Sequence, residues 1–150
     1  LAAKATDNYK TYGVLYNWSA ALTACPSGWH LPTHNEWTNL ERAICTSGTC
    51  ATDFPYDTTT IGWRGTNEGS KLSTLTLNGN NSSGFTALMS GYRSTSGSFA
   101  NLGSGTSFWS SSASSSSDAW RRYLYTSYST VYRGSSNKAY GFSVRCIRDY

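Results

Sequence analysis

Apolar residues recur at Trp18, Ala21, Leu22 and Cys25, a spacing that lines one face of a helix, and Asn17 stands where its N-cap belongs. The pattern predicts a helix over residues 18–24, closed by Pro26-Ser27-Gly28. Before it, Tyr12-Gly13-Val14-Leu15-Tyr16 reads as a short strand; after it, Trp29-His30-Leu31 is an extended piece ahead of Pro32. Thr33-His34-Asn35-Glu36 fits a capping box, in which the Thr33 hydroxyl accepts from the Glu36 N–H and the Glu36 carboxylate accepts from the Thr33 N–H. Trp37, Leu40, Ala43 and Ile44 continue one apolar stripe and predict a second helix ending near Cys45-Thr46-Ser47-Gly48. The front half is thus a helix–loop–helix.

From residue 46 onward the helical period disappears, and Gly, Ser, Thr and Asn dominate. Residues 51–84 predict a long, loop-rich excursion anchored by Trp63 and Leu72. Loops of that length are uncommon unless functional or packed by their own side chains. Residues 84–89 with 91–93 suggest a strand and its turn, and residues 107–112 another strand. In Trp120–Tyr125 the period becomes two: Trp120, Arg122 and Leu124 share one face, and Arg121, Tyr123 and Tyr125 the other. Val131, between Thr130 and Tyr132, marks a second strand, and Phe142, Val144 and Cys146 mark a third, with Ser143 and Arg145 opposite. Together these predict an antiparallel meander with Leu124, Val131, Phe142 and Val144 on its core face. Its outer face is rich in Tyr, Ser and Arg. The serine run 110–117, broken by Ala113, is read as a surface loop within one domain. Residues 1–11 form a lead-in, and residues 12–150 a single domain.

Composition narrows the class. A chain of 150 residues fits one domain with its own core. Charged residues are only 13%, which excludes a coiled coil. No run of 18 apolar residues is present, so no membrane insertion is expected. Six Trp, eleven Tyr and five Phe argue against disorder. The net charge of +4 is scattered, and only Arg121-Arg122 are adjacent, so no nucleic-acid partner is expected. Cys25, Cys45, Cys50 and Cys146 allow three pairings. No C-x2-C pair occurs, so two disulfides in an oxidising compartment are expected rather than zinc. Cys45–Cys50 closes the turn-rich spacer 46–49, and Cys25–Cys146 ties an early segment to the last strand; this pairing is favoured. Leu1-Ala2-Ala3-Lys4 lacks a charged start and an apolar stretch, so an export signal is expected outside this chain.

Several segments carry a resemblance. They are Tyr12-Gly-Val-Leu-Tyr-Asn-Trp18, Cys25-Pro-Ser-Gly-Trp-His-Leu-Pro-Thr33, Glu36-Trp37, Gly84-Phe85, Gly91-Tyr-Arg93, Trp109-Ser-Ser111 and Gly141-Phe-Ser-Val-Arg-Cys146. In order and kind they closely resemble the Fibrobacter succinogenes major paralogous domain, over residues 12–149. The resemblance implies an α+β, C-type lectin-like fold: two helices beside a small twisted antiparallel sheet with long loops. It also implies kinship with formylglycine-generating enzymes and with the variable proteins of diversity-generating retroelements. The family is associated with exported bacterial proteins, often at the cell surface. The Ser-, Tyr- and Arg-rich stretch 112–140 ahead of Gly141-Phe-Ser-Val-Arg145 resembles a retroelement variable region.

The candidate ligand-binding residues are Trp120, Arg121, Tyr123, Tyr125, Tyr128, Thr130, Tyr132, Ser135, Ser136 and Tyr140. Tyr and Trp offer rigid contact area at low entropic cost, and Ser supplies adaptable hydrogen bonds, the mixture that antibody paratopes use. Alternation sets Trp120 with Leu124, and Tyr140 with Phe142, which counts against both. His30, His34 and Glu36 are read as structural, because Pro32 separates the histidines and Glu36 belongs to the cap. Cys45 and Cys50 match the spacing of the formylglycine-generating pair but follow the second helix instead of lying late in the fold, so no catalytic role carries over. The Glu-Pro-Asn-type segment of calcium lectins is absent, and Asp53 and Asp57 alone are thin support for calcium. No catalytic constellation, cofactor or metal site is expected. Arg145 is expected to pair with Glu41 or Asp149. The reading is a monomeric, exported or surface, non-enzymatic module that binds a protein or glycan through the outer face of its C-terminal strands. The alternatives are a structural surface or scaffold module without a dedicated site, and metal-independent carbohydrate binding.

Overall fold

Side-chain caps set the first elements of the computed structural model, which describes residues 6–150. The Thr6 hydroxyl accepts from the Tyr9 N–H at the start of α1 (Asp7–Tyr12). Asn17 accepts from the Ala20 N–H at 2.9 Å and caps α2 (Trp18–Ala21). β1 (Trp29–His30) leads to Thr33 and α3 (His34–Ile44). There Thr33 Oγ1 accepts from the Glu36 N–H at 3.2 Å, and Glu36 Oε2 accepts from the Thr33 N–H at 2.8 Å. α4 (Cys50–Asp53), β2 (Gly62–Arg64) and α5 (Glu68–Leu72) follow, and then β3 (Ser90–Arg93), β4 (Phe99–Leu102), β5 (Gly105–Ala113), β6 (Asp118–Tyr125), β7 (Val131–Asn137) and β8 (Ile147–Arg148). The chain is an α+β domain.

Six strands form one sheet in the order β2-β7-β6-β5-β3-β4, and β1 pairs separately with β8. The sheet is mixed, because β3 meets β5 in parallel at Gly91 and Thr106. The meander is β5-β6-β7, one strand earlier than the periodicity suggests. The segment expected as its third strand instead makes isolated bridges, Phe142 to Tyr16 and Ser143 to Phe108. Cys146 then holds the chain to Cys25, and β8 pairs with β1. Both favoured disulfides are present, Cys25–Cys146 and Cys45–Cys50.

Other elements differ locally. Residues 7–12, expected within the lead-in, are helical, and residues 1–5 of that lead-in lie outside the described residues. Of the strand expected at 12–16 only the Tyr16 bridge remains. α2 stops at Ala21 because the N–H groups of Thr23 and Ala24 turn to the carbonyls three residues back, Ala20 and Ala21. Residues 84–89 are irregular: Asn81 and Thr86 adopt positive φ, and the Asn81 amide is bonded to Thr86. The stretch 51–84 is ordered by α4, β2 and α5, with Leu72 in the core.

The sheet has two faces. Against α3, Trp37, Leu72, Ala87, Met89, Phe108, Leu124 and Val131 form one apolar cluster. On the other face, Ala21, Leu31, Trp109, Ala119 and Phe142 form a second, which covers only part of it. The α3 side also encloses a charged layer. Arg122 and Glu41, each 1% exposed, pair through Nε–Oε1 at 2.5 Å and Nη2–Oε2 at 3.2 Å. Arg133 is fully buried beside them and donates to the Pro55 and Asp57 carbonyls. Glu41 therefore serves Arg122 and not Arg145, whose guanidinium donates to the Phe85 and Thr86 carbonyls.

His34 completes this layer, with Nε2 2.9 Å from the Asp57 carbonyl and its ring 4.4 Å from Trp120. Burial first, then Arg122 and Arg133, push its pKa from 6.5 down to about 4. The unfolded ring takes its proton near 6.5, so stability tied to neutral His34 is whole above that pH and drains away as pH falls toward 4. Urea unfolding at pH about 7 and about 5 is expected to show a larger loss for the wild type than for His34→Gln. Equal losses would contradict this assignment.

Candidate functional site

Strand alternation sorts the candidate residues before any contact is considered. Trp120, Arg122 and Leu124 turn toward α3 and are buried, so Trp120, 3% exposed, is a core residue and not a ligand contact. Arg121, Tyr123 and Tyr125 turn to the other face and are half-buried. Across the sheet, Tyr123 pairs with Tyr132 and Tyr132 with Trp63, which makes a cross-strand row of rings. Tyr128, in the turn after β6, stacks on Trp63 with centroids 4.0 Å apart and planes 12° from parallel. Tyr123 and Tyr132 lie 5.9 and 5.5 Å from Trp63, and Tyr125 lies 5.9 Å from Tyr123 and 6.3 Å from Tyr128. Five rings thus form a closed cluster. Tyr128, at 44%, is the most exposed of them.

Glycines make room for these rings. A Cβ at Gly105 would stand 2.6 Å from the Tyr123 hydroxyl and 2.9 Å from Tyr125 Cδ2. One at Gly134 would stand 2.6 Å from Tyr132 Cε1. The tyrosines are therefore seated over bare backbone. This explains why they are half-buried instead of standing free in water, as their outer-face position alone suggests.

Arg121 lies where the covered and open parts of this face meet. Its Nε donates to the Ser136 hydroxyl at 2.7 Å and its Nη1 to the Ser107 hydroxyl at 3.0 Å. Its guanidinium carbon sits 5.3 Å from the ring centroids of Tyr123 and Tyr132 and 5.5 Å from that of Phe142, within cation–π range. Burial holds its pKa below the ordinary arginine value, with Tyr132 and Tyr123 opposing. Burial likewise raises the Tyr123 hydroxyl, against a hydrogen bond from Asn101 at 3.1 Å. Arg121, Tyr123, Ser136 and Tyr140 line a cavity of about 280 Å³ together with Tyr92, Asn101, Ser107 and Phe142.

Of the ten candidate residues, Arg121, Tyr123, Tyr125, Tyr128, Tyr132, Ser136 and Tyr140 are brought to this face or its cavity. Ser135 pairs with Trp120 and so points the other way, although it is exposed. Thr130 sits before β7, with its carbonyl packed on Gly69. Trp63, Tyr92, Asn101 and Ser107 are site residues that periodicity within one segment misses. Trp63 was visible only as a loop anchor and Tyr92 only inside Gly91-Tyr-Arg93, and strand order is what brings them to Arg121 and its neighbours.

The other candidates are structural in their geometry. His30 Nδ1 lies 2.6 Å from Asp149 and Nε2 2.9 Å from Glu36, and these contacts raise its pKa. This links the capping box to the residue after β8. Asp53 accepts from Ser47 and Thr49 beside the Cys45–Cys50 bridge. Asp57 accepts from Thr59 and Thr60, and its pKa is lowered to about 2, first by the Thr60 hydroxyl. Among the described residues, no group of three or more His, Cys, Asp or Glu is placed to hold a metal ion.

The fold is that of an α+β domain with an aromatic face and a buried charged layer. The chain belongs to the Fibrobacter succinogenes major domain family, whose pattern it matches over residues 1–148. No curated protein and no solved structure matches it. Two disulfides, and no helix among the described residues that is long and apolar enough to cross a membrane, are compatible with an extracellular protein.

Proposed function

We propose that this domain is an exported, non-enzymatic binding module that recognises a protein or glycan through the aromatic face of β2, β6 and β7. The observation that carries this reading is the closed cluster of Trp63, Tyr123, Tyr125, Tyr128 and Tyr132 on the part of the sheet left uncovered by the second core. A solvated sheet face needs cross-strand pairs at most, whereas here a turn residue, Tyr128, stacks on Trp63 and widens the surface. Recognition is non-covalent: the rings supply area, and Arg121 and the nearby hydroxyls supply direction. The proposed scaffold is C-type lectin-like, with kinship to formylglycine-generating enzymes and to retroelement variable proteins. The Ser-, Tyr- and Arg-rich composition of residues 112–140 supports the latter link.

The test is binding of labelled domain to glycan and protein arrays, with Tyr128→Ala and Tyr125→Ala beside the wild type. Each truncation is expected to weaken binding to the same array hits about 5–30-fold, corresponding to roughly 1–2 kcal/mol. Thermal unfolding is expected to stay close to the wild type, because both rings lie outside the two apolar clusters. Variants that bind like the wild type, or that unfold instead, overturn the proposal, as does a wild type with no array hit.

A further inference from the structure

Among the described residues, Arg121 is a cation without a counter-charge. The four ion pairs among the described residues that involve Glu41, Asp57, Glu36 and Asp149 are made by Arg122, Arg133 and His30, and none reaches Arg121. Aromatic faces surround its charge instead. The groups that act on it electrostatically are tyrosines, Tyr132, Tyr123, Tyr140 and Tyr92, and not carboxylates. Removing an arginine from water without a carboxylate is costly unless a ligand completes the site.

The geometry also says which part of the group is available. Nε and Nη1 are oriented by Ser136 and Ser107, and Nη2 donates to no described residue. Arg121 lines a cavity of about 280 Å³ that is open to solvent, and Nη2 is the guanidinium nitrogen left to serve a ligand there. That volume lies at the small end of ligand pockets, the range of a single-ring ligand. A guanidinium N–H without a partner pairs best with a carboxylate, through a charge-assisted hydrogen bond.

We infer that this cavity binds the carboxylate of an acidic sugar, with Arg121 as the anchoring residue. This rests on the reading of the aromatic face as a ligand surface and names its chemistry. Serine hydroxyls, the Asn101 amide and the tyrosine hydroxyls match the hydroxyls of a sugar, and tyrosine faces accept its C–H face. An acidic peptide fits less well. β5, β6 and β7, which carry Ser107, Arg121 and Ser136, are each paired on both edges, so the strands that hold the anchor cannot take a peptide as an added strand.

Sodium glucuronate, glucose and a short acidic peptide, titrated separately into 15N-labelled domain, provide the test. Glucuronate is expected to shift the Arg121 Nε–H resonance saturably, while glucose and the peptide bind about tenfold more weakly or not at all. Arg121→Gln is expected to lose about tenfold in glucuronate affinity, and Arg121→Lys to recover only part of it. Equal binding of glucose, preference for the peptide, or an unaffected Arg121→Gln overturns the inference. Should Arg121→Gln fail to fold, the wild-type comparison of glucuronate with glucose decides alone. Loss of array binding in the Tyr128 and Tyr125 variants, together with no glucuronate response, would remove the acidic-sugar assignment and leave the binding face standing.

Discussion

Replacing Cys25 and Cys146 together by Ala is expected to lower the unfolding free energy by about 5 kcal/mol, against about 2 kcal/mol for the pair Cys45 and Cys50. The difference comes from loop length. The two bridges close sequence separations of 121 and 5 residues, and the entropy withheld from the unfolded chain grows with the logarithm of that span. Location adds to it. Cys25 packs against the second apolar cluster, and the bridge lies beside β1 and β8, which pair through only Trp29–Arg148 and His30–Ile147. So short a ladder holds poorly without a covalent tie. At this chain length, losing about 5 kcal/mol corresponds to roughly 10–20 °C in Tm. Urea unfolding of both double variants under non-reducing conditions measures the ranking. A smaller loss from Cys25 and Cys146 than from Cys45 and Cys50 would refute it.

The second large effect belongs to the buried ion pair. Glu41→Ala is expected to cost about 3–5 kcal/mol, because it strands the Arg122 guanidinium in the interior. Arg122 has little else to hold. Its remaining contacts, at 3.3–3.5 Å, are Thr38 Oγ1, the His34 carbonyl and His34 Nδ1. Arg133 nearby is a further positive charge, and among the described residues its Nε has no partner. Replacing both members with apolar residues, Glu41→Leu with Arg122→Met, is expected to recover most of the loss, since the pair mainly offsets its own desolvation. Chemical denaturation of the two single variants and the double variant gives the coupling directly. Single variants within about 1 kcal/mol of the wild type would show that the charges reach water.

Legibility followed the range of the interactions. Thr33, Glu36 and Asn17 act on N–H groups three residues away, so the caps of α2 and α3 are readable from local sequence. The alternation in β6 is equally local, and it assigns Arg121, Tyr123 and Tyr125 to one face. What escapes is long-range. Phe142 and Val144 alternate like a strand, yet β3 and β5 already pair with each other, and the Cys25 tie draws the segment to Tyr16 instead. Glu41 and Arg122 are 81 residues apart, and no spacing rule pairs them. Trp63 joins the tyrosines only because β2 lies beside β7.

Along β6, neighbouring residues answer to different demands. Arg122 and Leu124 are held by the helix side, while Tyr123 and Tyr125 rest on backbone at Gly105. At Gly105 the backbone beneath Tyr123 and Tyr125 offers no side chain that has to change when one of them does. Substitutions confined to the alternate positions Arg121, Tyr123 and Tyr125 would therefore reshape the aromatic face and leave the helix-side packing of Arg122 and Leu124 in place.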